Sequence, residues 1–533
     1  MLLRKRKQLF NNQFILLTIS KFTLMKKLFV CALALATFVA CDKEPNGGLN
    51  SEDKVYMEFK IQTLTTLSAT DGTGDTNSDA NPDYEVGQDY ENKISSVDVV
   101  LRNANTYVSA TVTNPTSTDN TTWVAEFESS QLATGTDYEV YIYANCSAKR
   151  DLNATSNAAI GAMTEENKFW MTNAYAAKKV SFSAYSTDKA NPTSLGEHYV
   201  ERAMARFDFM PKGPYTLSDA EGNEVAVTLT QAALINQSKA FYLLRRVSAD
   251  GTNTNWAVGG VETLDNYVVD VDYAAKANGY DADDVKNFDA HMTAPAGWVW
   301  KSIAEDDLKD KPDNWVGTGD GKHDETNAKD DHELNQYYFW QYAKENTIPG
   351  VDAQEHAQEH GISTGVVFKG ELSGDKVPAN GTEPIYVFDN VLYGTWAQVV
   401  AAVENSDSEA FKFAVEVCND KGKAKDAATL AKAGFTGYSP VGGKYYVYYY
   451  YWNRHNDNGQ NTDMGKMEFA VVRNNVYKLC VDDIQKFGHP TPGGTDPDPD
   501  PVDPKDPDEQ GEYYFKVTVK VLPWVVRVNH IEF

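Results

Sequence analysis

The stretch EYYFKVTVKVLPWVVRVNHIEF, residues 512–533, ends the chain and decides what kind of fold the rest must supply. Its first half alternates apolar and polar side chains, the period of a β-strand with one buried face. The apolar positions of this half are Phe515, Val517, Val519 and Val521. Pro523 cannot donate a backbone hydrogen bond, and the apolar parity changes after it, to Trp524 and Val526. We therefore expect a C-terminal strand, residues 513–533, that is kinked and must find a partner for its apolar face.

The segment before this strand, residues 491–512, is rich in Asp-Pro pairs. Proline lacks the N–H group of a strand ladder, and neighbouring carboxylates repel each other, so we expect an extended, semi-rigid linker. No segment adjacent in sequence is expected to pair with the terminal strand. The strand can therefore reach away from its own domain.

A secretory signal is predicted at the start of the chain. Two lysines follow Met25, an apolar run comes next, and the run ends in Phe38-Val39-Ala40-Cys41. This order is typical of a signal peptide with a lipobox. We expect residues 1–41 to hold this signal, with Met25 as the true start, cleavage before Cys41 and a lipid on its sulfur. An ordinary signal peptide whose cleavage site contains a cysteine is the alternative.

The composition limits the classes of partner. The chain has 76 acidic against 49 basic side chains, a formal net charge of −27. This charge argues against nucleic acid and anionic membrane surfaces as partners. The 30 tyrosines and 23 phenylalanines favour strands over helices. The three cysteines that remain after Cys41 are an odd, sparse set that allows at most one disulfide, and they are Cys146, Cys418 and Cys480.

The first strand after the signal has the same pattern as the terminal strand. It begins at Lys54, and its apolar positions are Val55, Met57, Phe59 and Ile61. Four apolar residues at period two match Phe515 to Val521 in length and pattern. Either any β-sandwich contains such strands, or the two are interchangeable in one groove.

Further strands recur from Ile94 onward, separated by turn residues, which is the spacing of antiparallel sandwiches. We place a domain boundary near residue 198, where strand periodicity restarts after a polar loop. The prediction is an N-terminal β-sandwich, residues 42–198, and a C-terminal β-sandwich, residues 199–490, with loop and short-helix insertions. Tyr445 to Trp452 is aromatic on both faces and is predicted to be a central buried strand.

Several motifs together resemble the fimbrillins of Bacteroidota type V pili, in particular the shaft subunit of the short, minor fimbriae. The motifs are Tyr56-Met57, Ala80-Asn81-Pro82-Asp83-Tyr84, Arg202-Ala203-Met204, Glu345-Asn346-Thr347, the run Val471 to Tyr477, Gly488, the Asp-Pro linker and VTVKVLPWVV. The resemblance implies two transthyretin-like β-sandwich domains in a lipoprotein precursor at the outer membrane. It also implies that an Arg-specific protease removes the N-terminal strand, and that the C-terminal donor strand of another subunit fills the groove.

The chain departs from this family in one place. The family carries an Arg shortly after the first strand, but no Lys or Arg occurs between Lys60 and Lys93 here. Either a protease of different specificity cuts the polar loop Ser68 to Gln88, or the N-terminal strand is retained. We expect the first.

One enzyme motif needs weighing. His356, Glu359 and His360 fit the H-x-x-E-H pattern of zinc proteases, in which two histidines bind metal and the glutamate acts as base. Gly361 would end any helix at once, and no apolar helix face surrounds the motif. We expect a solvated loop with incidental metal affinity, and neither a catalytic site nor a cofactor.

The sequence therefore predicts a non-enzymatic subunit of a surface fimbria, assembled by donor-strand exchange and supporting adhesion. Expected partners are other copies of the chain, accessory fimbrial subunits, the outer membrane through the lipid of the precursor, and receptors on host or bacterial surfaces. The first alternative is a surface lipoprotein adhesin that does not polymerise or sits at the fibre tip or anchor, binding glycans or proteins. The second is a zinc hydrolase.

Overall fold

A computed structural model of the chain describes residues 53–63, 87–112, 121–146, 151–249, 251–259, 267–309, 337–347, 358–455, 464–465, 467–493, 497–509 and 515–523. Strands dominate these residues and the helices are short, which confirms the predicted all-β class. Alternating apolar and polar positions favour strands that bury one face. Other strands, such as Ala205–Met210, are buried on both faces.

The strands of the N-terminal part are β1 (Lys54–Thr63), β2 (Val97–Arg102), β3 (Tyr107–Val112), β4 (Thr122–Glu128), β5 (Asp137–Ala144), β6 (Thr155–Ser156), β7 (Met171–Asn173), β8 (Lys178–Ser181) and β9 (Thr193–Arg202). The middle of the chain contains β10 (Ala205–Met210), β11 (Tyr215–Ser218), β12 (Glu224–Ile235), β13 (Gln237–Ser238), β14 (Phe241–Tyr242), β15 (Arg246–Ser248), β16 (Ala257–Val258), β17 (Tyr267–Val268), β18 (Phe288–Asp289), β19 (Lys301–Ser302) and β20 (Tyr338–Ala343). The C-terminal part contains β21 (Gly365–Gly374), β22 (Ile385–Phe388), β23 (Val391–Tyr393), β24 (Asn419–Asp420), β25 (Lys423–Ala424), β26 (Phe435–Tyr438), β27 (Tyr445–Trp452), β28 (Asn475–Ile484) and β29 (Phe515–Pro523).

The helices are α1 (Asp89–Asn92), α2 (Ile160–Met163), α3 (Tyr273–Lys276), α4 (Glu305–Lys309), α5 (Trp396–Ala402), α6 (Glu409–Cys418) and α7 (Ala427–Lys432). Short 3₁₀ turns lie at Ser129–Gln131, Ala282–Asn287, Pro295–Gly297 and Val403–Asn405. The last three α-helices begin after Thr395, Ser408 and Asp426, whose side-chain oxygens accept a backbone N–H three residues on. These caps explain why this strand-rich chain forms helices there.

The N-terminal strands form an eight-stranded sheet in the order β3-β2-β5-β7-β9-β1-β4, with β8 beside β5. Its buried face builds one apolar core, which includes Trp123, Tyr138 and Tyr143. β1 lies inside this sheet and not at its edge, because it pairs with both β9 and β4.

The C-terminal strands form two larger sheets around a second core. One has four strands in the order β20-β10-β28-β29, and the other has the order β11-β12-β21-β27 with β19 beside β12. Phe207 and Trp340 from the first sheet meet Phe368 and Tyr449 from the second in this core. A smaller sheet, β23-β22-β26, packs with α5, α6 and α7 in a separate cluster.

The chain passes from the eight-stranded sheet to the four-stranded sheet between Arg202 and Ala205. From Lys54 onward it nevertheless forms one compact unit. The division into domains at residues 42–198 and 199–490 therefore stays a prediction.

The strand β27 corrects one expectation. It is largely buried, as predicted, but it ends the sheet order beside β21 and is not central. Its outer edge is partly covered by an isolated antiparallel bridge between Tyr448 and His489. An edge strand that is buried on both faces has the same apolar pattern as a central strand, so the sequence does not distinguish the two.

Candidate functional site

The first candidate site is the slot occupied by β1. This strand pairs antiparallel with β4 and parallel with β9, so that Met57 lies opposite Ala125 on one side and Thr193 on the other. It is hydrogen-bonded along both edges, although it is the first strand described in the chain. Removing it would leave two unpaired strand edges facing each other across one groove.

The apolar side chains of β1 face the core. The exposed fraction is 0% for Val55 and Met57, 1% for Phe59 and 2% for Ile61. Their burial contributes roughly 6–12 kcal/mol before conformational entropy is subtracted. On the other face, Lys54 approaches Glu126 at 3.3 Å between exposed side chains, a contact worth little. The structure places the four residues on one buried face, and their role as a displaced strand stays a prediction.

A buried histidine lines this slot. His198 of β9 lies opposite Ile61 and is only 4% exposed. Burial lowers the pKa of its ring to about 4, against an opposing effect of the Leu195 carbonyl, and nearby Lys178 adds a smaller lowering effect. The ring is therefore neutral at physiological pH. Sequence reasoning missed His198, because a single histidine in an alternating strand carries no distinctive signal.

The second candidate site is the edge of β28, where the terminal strand lies. β29 pairs antiparallel with β28, with Val519 opposite Leu479 and Phe515 opposite Ile484. The partner is thus not the neighbouring linker but β28, the strand that lies before the linker in sequence. The linker is long enough to connect two neighbouring antiparallel strands, so β29 folds back onto the strand that precedes the linker. Trp524 and Val526 lie outside the described residues.

The described part of the Asp-Pro linker, residues 497–509, has no helix or ladder strand and lies against the folded body. The side chains of Asp508 and Glu509 are 6% and 7% exposed. A linker of this composition can dock because its carbonyl groups accept hydrogen bonds although its prolines donate none.

Several of the family-like motifs meet in a buried polar junction. Arg473 binds Glu345 through two nitrogens, at 2.9 Å from Nε to Oε2 and from Nη2 to Oε1. Its Nη1 also donates to the carbonyl of Leu243 at 2.9 Å. Because each guanidinium nitrogen has an acceptor and a carboxylate balances the charge, the charge is tolerated in the interior. Sequence reasoning singled out both residues without showing that they touch.

Two more of these residues complete the junction. The backbone N–H of Arg202, at the end of β9, donates to the side-chain oxygen of Asn474 at 3.1 Å. The amide nitrogen of Asn346 donates to the carbonyls of Asn236 and Ile362, both at 3.0 Å. The junction therefore ties the end of the eight-stranded sheet to the start of β28.

The histidine motif is not a solvated loop where it is described. His360 is 6% exposed and its ring stacks on Trp452, with centroids 4.6 Å apart. Burial lowers its pKa to about 4, against a smaller opposing effect of Asp503. The expectation of a solvated position is thus wrong for His360, because the linker covers it. His356 lies outside the described residues, and within the described part no group of three His, Cys, Asp or Glu side chains could hold a metal.

The remaining predicted positions are placed as follows. Cys146, Cys418 and Cys480 are buried free thiols. Cys41 and the rest of the predicted signal lie outside the described residues. Within the ranges that the structure covers, none of the helices has the length and apolar character needed to cross a bilayer.

Comparison with known proteins finds a family match at the C-terminus. Residues 444–530 match the family described as Major fimbrial subunit protein type IV, Fimbrillin, C-terminal. This range contains β27, β28, the linker and β29. Comparison with curated protein sequences finds no match.

Solved structures of low sequence identity also align with the chain. A fimbrilin (FimA) from Porphyromonas gingivalis W83 is 14% identical, covering 90% of this chain and 100% of that one, with a TM-score of 0.39. The tip fimbrial protein Mfa3 from Porphyromonas gingivalis is 10% identical, covering 81% and 96%, with a TM-score of 0.30. These TM-scores are too low for either likeness to carry an argument. The resemblance to the fimbrillins is confirmed by the family match, over the C-terminal part of the chain.

Proposed function

We propose that this chain is a structural subunit of a cell-surface fimbria that assembles by exchange of its terminal strands and supports adhesion. The observation that carries the proposal is the position of β1. It is a strand near the N-terminus that fills a slot between β4 and β9. The family match at residues 444–530 supports the same role, since that family consists of fimbrial subunits.

Only one kind of segment could take the place of β1 in the slot. Without β1, the edges of β4 and β9 would present unpaired backbone groups above an apolar floor that includes Trp123. Only an extended segment with alternating apolar residues can satisfy both the backbone and the floor. β29 has nine residues against ten in β1, and its sequence alternates in the same way. The donor residues would be Phe515, Val517, Val519 and Val521, continued by Trp524 and Val526.

Exchange requires that β1 first leave. While β1 remains attached, its effective concentration beside the slot is in the millimolar range or above, so an incoming strand competes poorly. Cleavage in the polar loop Ser68 to Gln88 removes that competition. Since the loop has no Lys or Arg, the protease has a specificity other than for basic residues.

The predicted secretory signal accounts for a location at the cell surface. We propose that the precursor carries a lipid on Cys41 and reaches the outer membrane before assembly. Its partners there are copies of itself and accessory fimbrial subunits, and the fibre meets receptors on host or bacterial surfaces.

The decisive experiment compares a chain beginning at Asp42 with one beginning at Gly87, which lacks β1. Each is mixed with a synthetic peptide of residues 511–533, and binding and polymer formation are followed by size-exclusion chromatography and electron microscopy. Only the shorter chain should bind the peptide, and only the shorter chain without peptide should form fibres. A peptide carrying Val519→Asp is the matched control, because it puts a charge on the apolar face. Equal binding of both peptides, or fibres from the longer chain alone, contradicts strand exchange.

The alternative of a non-polymerising surface adhesin has one observation in its favour. β29 lies on β28 of the same chain, which is where a monomeric binding module would keep it. That alternative predicts that the chain beginning at Gly87 stays monomeric at every concentration at which it is folded.

A further inference from the structure

Backbone hydrogen bonds attach the linker to the folded body. Residues 504–508 lie antiparallel to residues 358–361, with a bridge between Pro507 and Glu359. The N–H of His360 donates to the carbonyl of Asp506 at 3.0 Å, and the N–H of Gly361 donates to the carbonyl of Pro504 at 2.7 Å. The linker returns one bond, from the N–H of Asp508 to the carbonyl of Gln358, also at 3.0 Å. The linker thus accepts with its carbonyls and donates where it has an N–H.

Side chains close the attachment at its C-terminal end. The hydroxyl of Ser363 donates to the carboxylate of Asp508. Glu509 accepts from Arg454 at 2.7 Å, and Arg454 also binds Glu468. Gln358 and Ser363 are fully buried, so these contacts lie out of solvent. Buried charged groups that are hydrogen-bonded to the folded body hold a segment in one place.

Gly361 shows how close the two segments are. A Cβ atom at this position would lie 2.8 Å from the carbonyl oxygen of Pro504 and 2.4 Å from the ring of Tyr280. Any side chain here would push the linker off, so the close approach requires glycine.

The attachment extends toward the start of the linker. His489 and Asp498 lie 3.1 Å apart, from Nδ1 to Oδ2, and both are nearly buried. Val502 packs on the cluster that contains Trp298 and Trp452. The described linker is therefore held at its beginning, middle and end.

We infer that residues 497–509 act as a strap, a segment fixed to the folded body, so that the donor strand leaves each subunit from a single exit point at Glu509. The inference rests on the proposed function, which supplies the neighbouring subunit. A free linker from Gly493 to Phe515 could span about 75 Å, whereas the chain from Glu509 to Phe515 spans about 20 Å at most. The strap thus sets the distance between consecutive subunits and passes tension from the donor strand into the sheets through Arg454 and Ser363.

Burial changes the titration of two carboxyl groups beside Arg454. Burial raises the pKa of Asp508 well above its usual range, against the opposing effects of Ser363 and Arg454. Burial likewise raises the pKa of Glu468, with Arg454 opposing. Both shifts follow from the removal of these side chains from water at the end of the linker.

The first test is hydrogen exchange on the full mature chain. The double variant Asp508→Ala/Glu509→Ala removes the C-terminal end of the strap. Glu404→Ala/Asp407→Ala is the control, since it removes two exposed carboxylates elsewhere. The amides of His360 and Gly361 should exchange about tenfold faster in the first variant and unchanged in the control. Ser363→Ala, which keeps the Arg454 pair, gives the same readout if the double variant does not fold. Unaltered exchange in all variants overturns the strap.

The second test separates the strap from strand exchange. Fibres of the chain beginning at Gly87, with and without the strap substitutions, are imaged to measure the spacing between subunits. Strap variants should still form fibres, because β29 is intact, but with a broader spread of spacing and easier bending. An identical, narrow spacing overturns the strap and leaves strand exchange in place. Fibres from neither chain contradict the proposed function, while the exchange result still decides whether the strap exists.

Discussion

Arg473 and Glu345 form a buried ion pair, 2.9 Å from Nη2 to Oε1, and their side chains are 0% and 4% exposed. The two residues are distant in sequence and come together beside the start of β28, where the eight-stranded sheet meets the second core. The pair therefore positions the strand that carries β29 on its edge.

Breaking this pair should be costly. Glu345→Ala leaves the guanidinium of Arg473 buried without its carboxylate, so we expect the free energy of unfolding to fall by about 3–5 kcal/mol. Urea denaturation measures the loss. Glu371→Ala is the control, because it breaks the more exposed pair with Lys444 and should cost less than about 1 kcal/mol. Equal effects of the two substitutions contradict the role of the junction.

Deleting residues 513–533 should leave a folded, soluble protein that cannot polymerise. β29 is the last strand of its sheet, so its loss exposes one edge of β28 while β10 still covers the other. We expect the free energy of unfolding to fall by roughly 2–5 kcal/mol. Circular dichroism and sedimentation check the two parts of this statement. A deletion variant that unfolds, or one that still builds fibres, is incompatible with a donor strand.

The N-terminus of the protein taken from the cell surface should lie between Ser68 and Asn92. Cleavage in this range frees the slot of β1, and the loop is long and polar enough to admit a protease. Mass spectrometry of the first peptide decides the question. A lipidated Cys41 in assembled fibres contradicts it and indicates a terminal or anchoring subunit.

Protonation of two buried histidines should remove their contribution to stability between pH 6.5 and pH 4. The pKa values of His198 and His360 are lowered to about 4, whereas both are near 6.5 in the unfolded chain. At these two positions the unfolded chain binds more protons in this window, so their contribution to stability is complete above pH 6.5 and is lost as the pH falls toward 4. Glu468, whose pKa is raised in the folded protein, changes stability in the opposite direction. Each ring contributes on the order of 3 kcal/mol to this loss. Urea denaturation across the window should show a shallower slope in His198→Gln, and an unchanged slope contradicts the assignment.

The same histidine reports on the slot. In the chain beginning at Gly87, His198 gains access to water, so its pKa should rise toward 6.5 in an NMR titration. Filling the slot with the peptide of residues 511–533 should lower the pKa again. A pKa that stays near 4 without β1 shows that the slot has closed.

His360→Ala should lower stability by about 1–3 kcal/mol, because the ring stacks on Trp452 beneath the strap. This differs from the expectation for a solvated loop, under which replacing His356 and His360 together would change nothing. His356→Ala alone serves as the comparison. Stoichiometric zinc that survives dialysis, or peptide hydrolysis lost in the double variant, would show that the motif is a metal site after all.

The sequence by itself determined the all-β class and the buried face of β1. The apolar residues Val55, Met57, Phe59 and Ile61 alternate with polar ones, so they lie on one face of a strand. This face is buried whichever strands pair with β1. The family match over residues 444–530 also includes the run at residues 471–477.

Only the tertiary structure decided which segments touch. Periodicity does not say which strand a strand pairs with, so the pairing of β29 with β28 could not be foreseen from Phe515 to Val521. The docking of the linker and the burial of His360 have the same cause. Both depend on backbone groups of residues 358–361 meeting residues 504–508, and such long-range hydrogen bonds leave no mark in either segment alone.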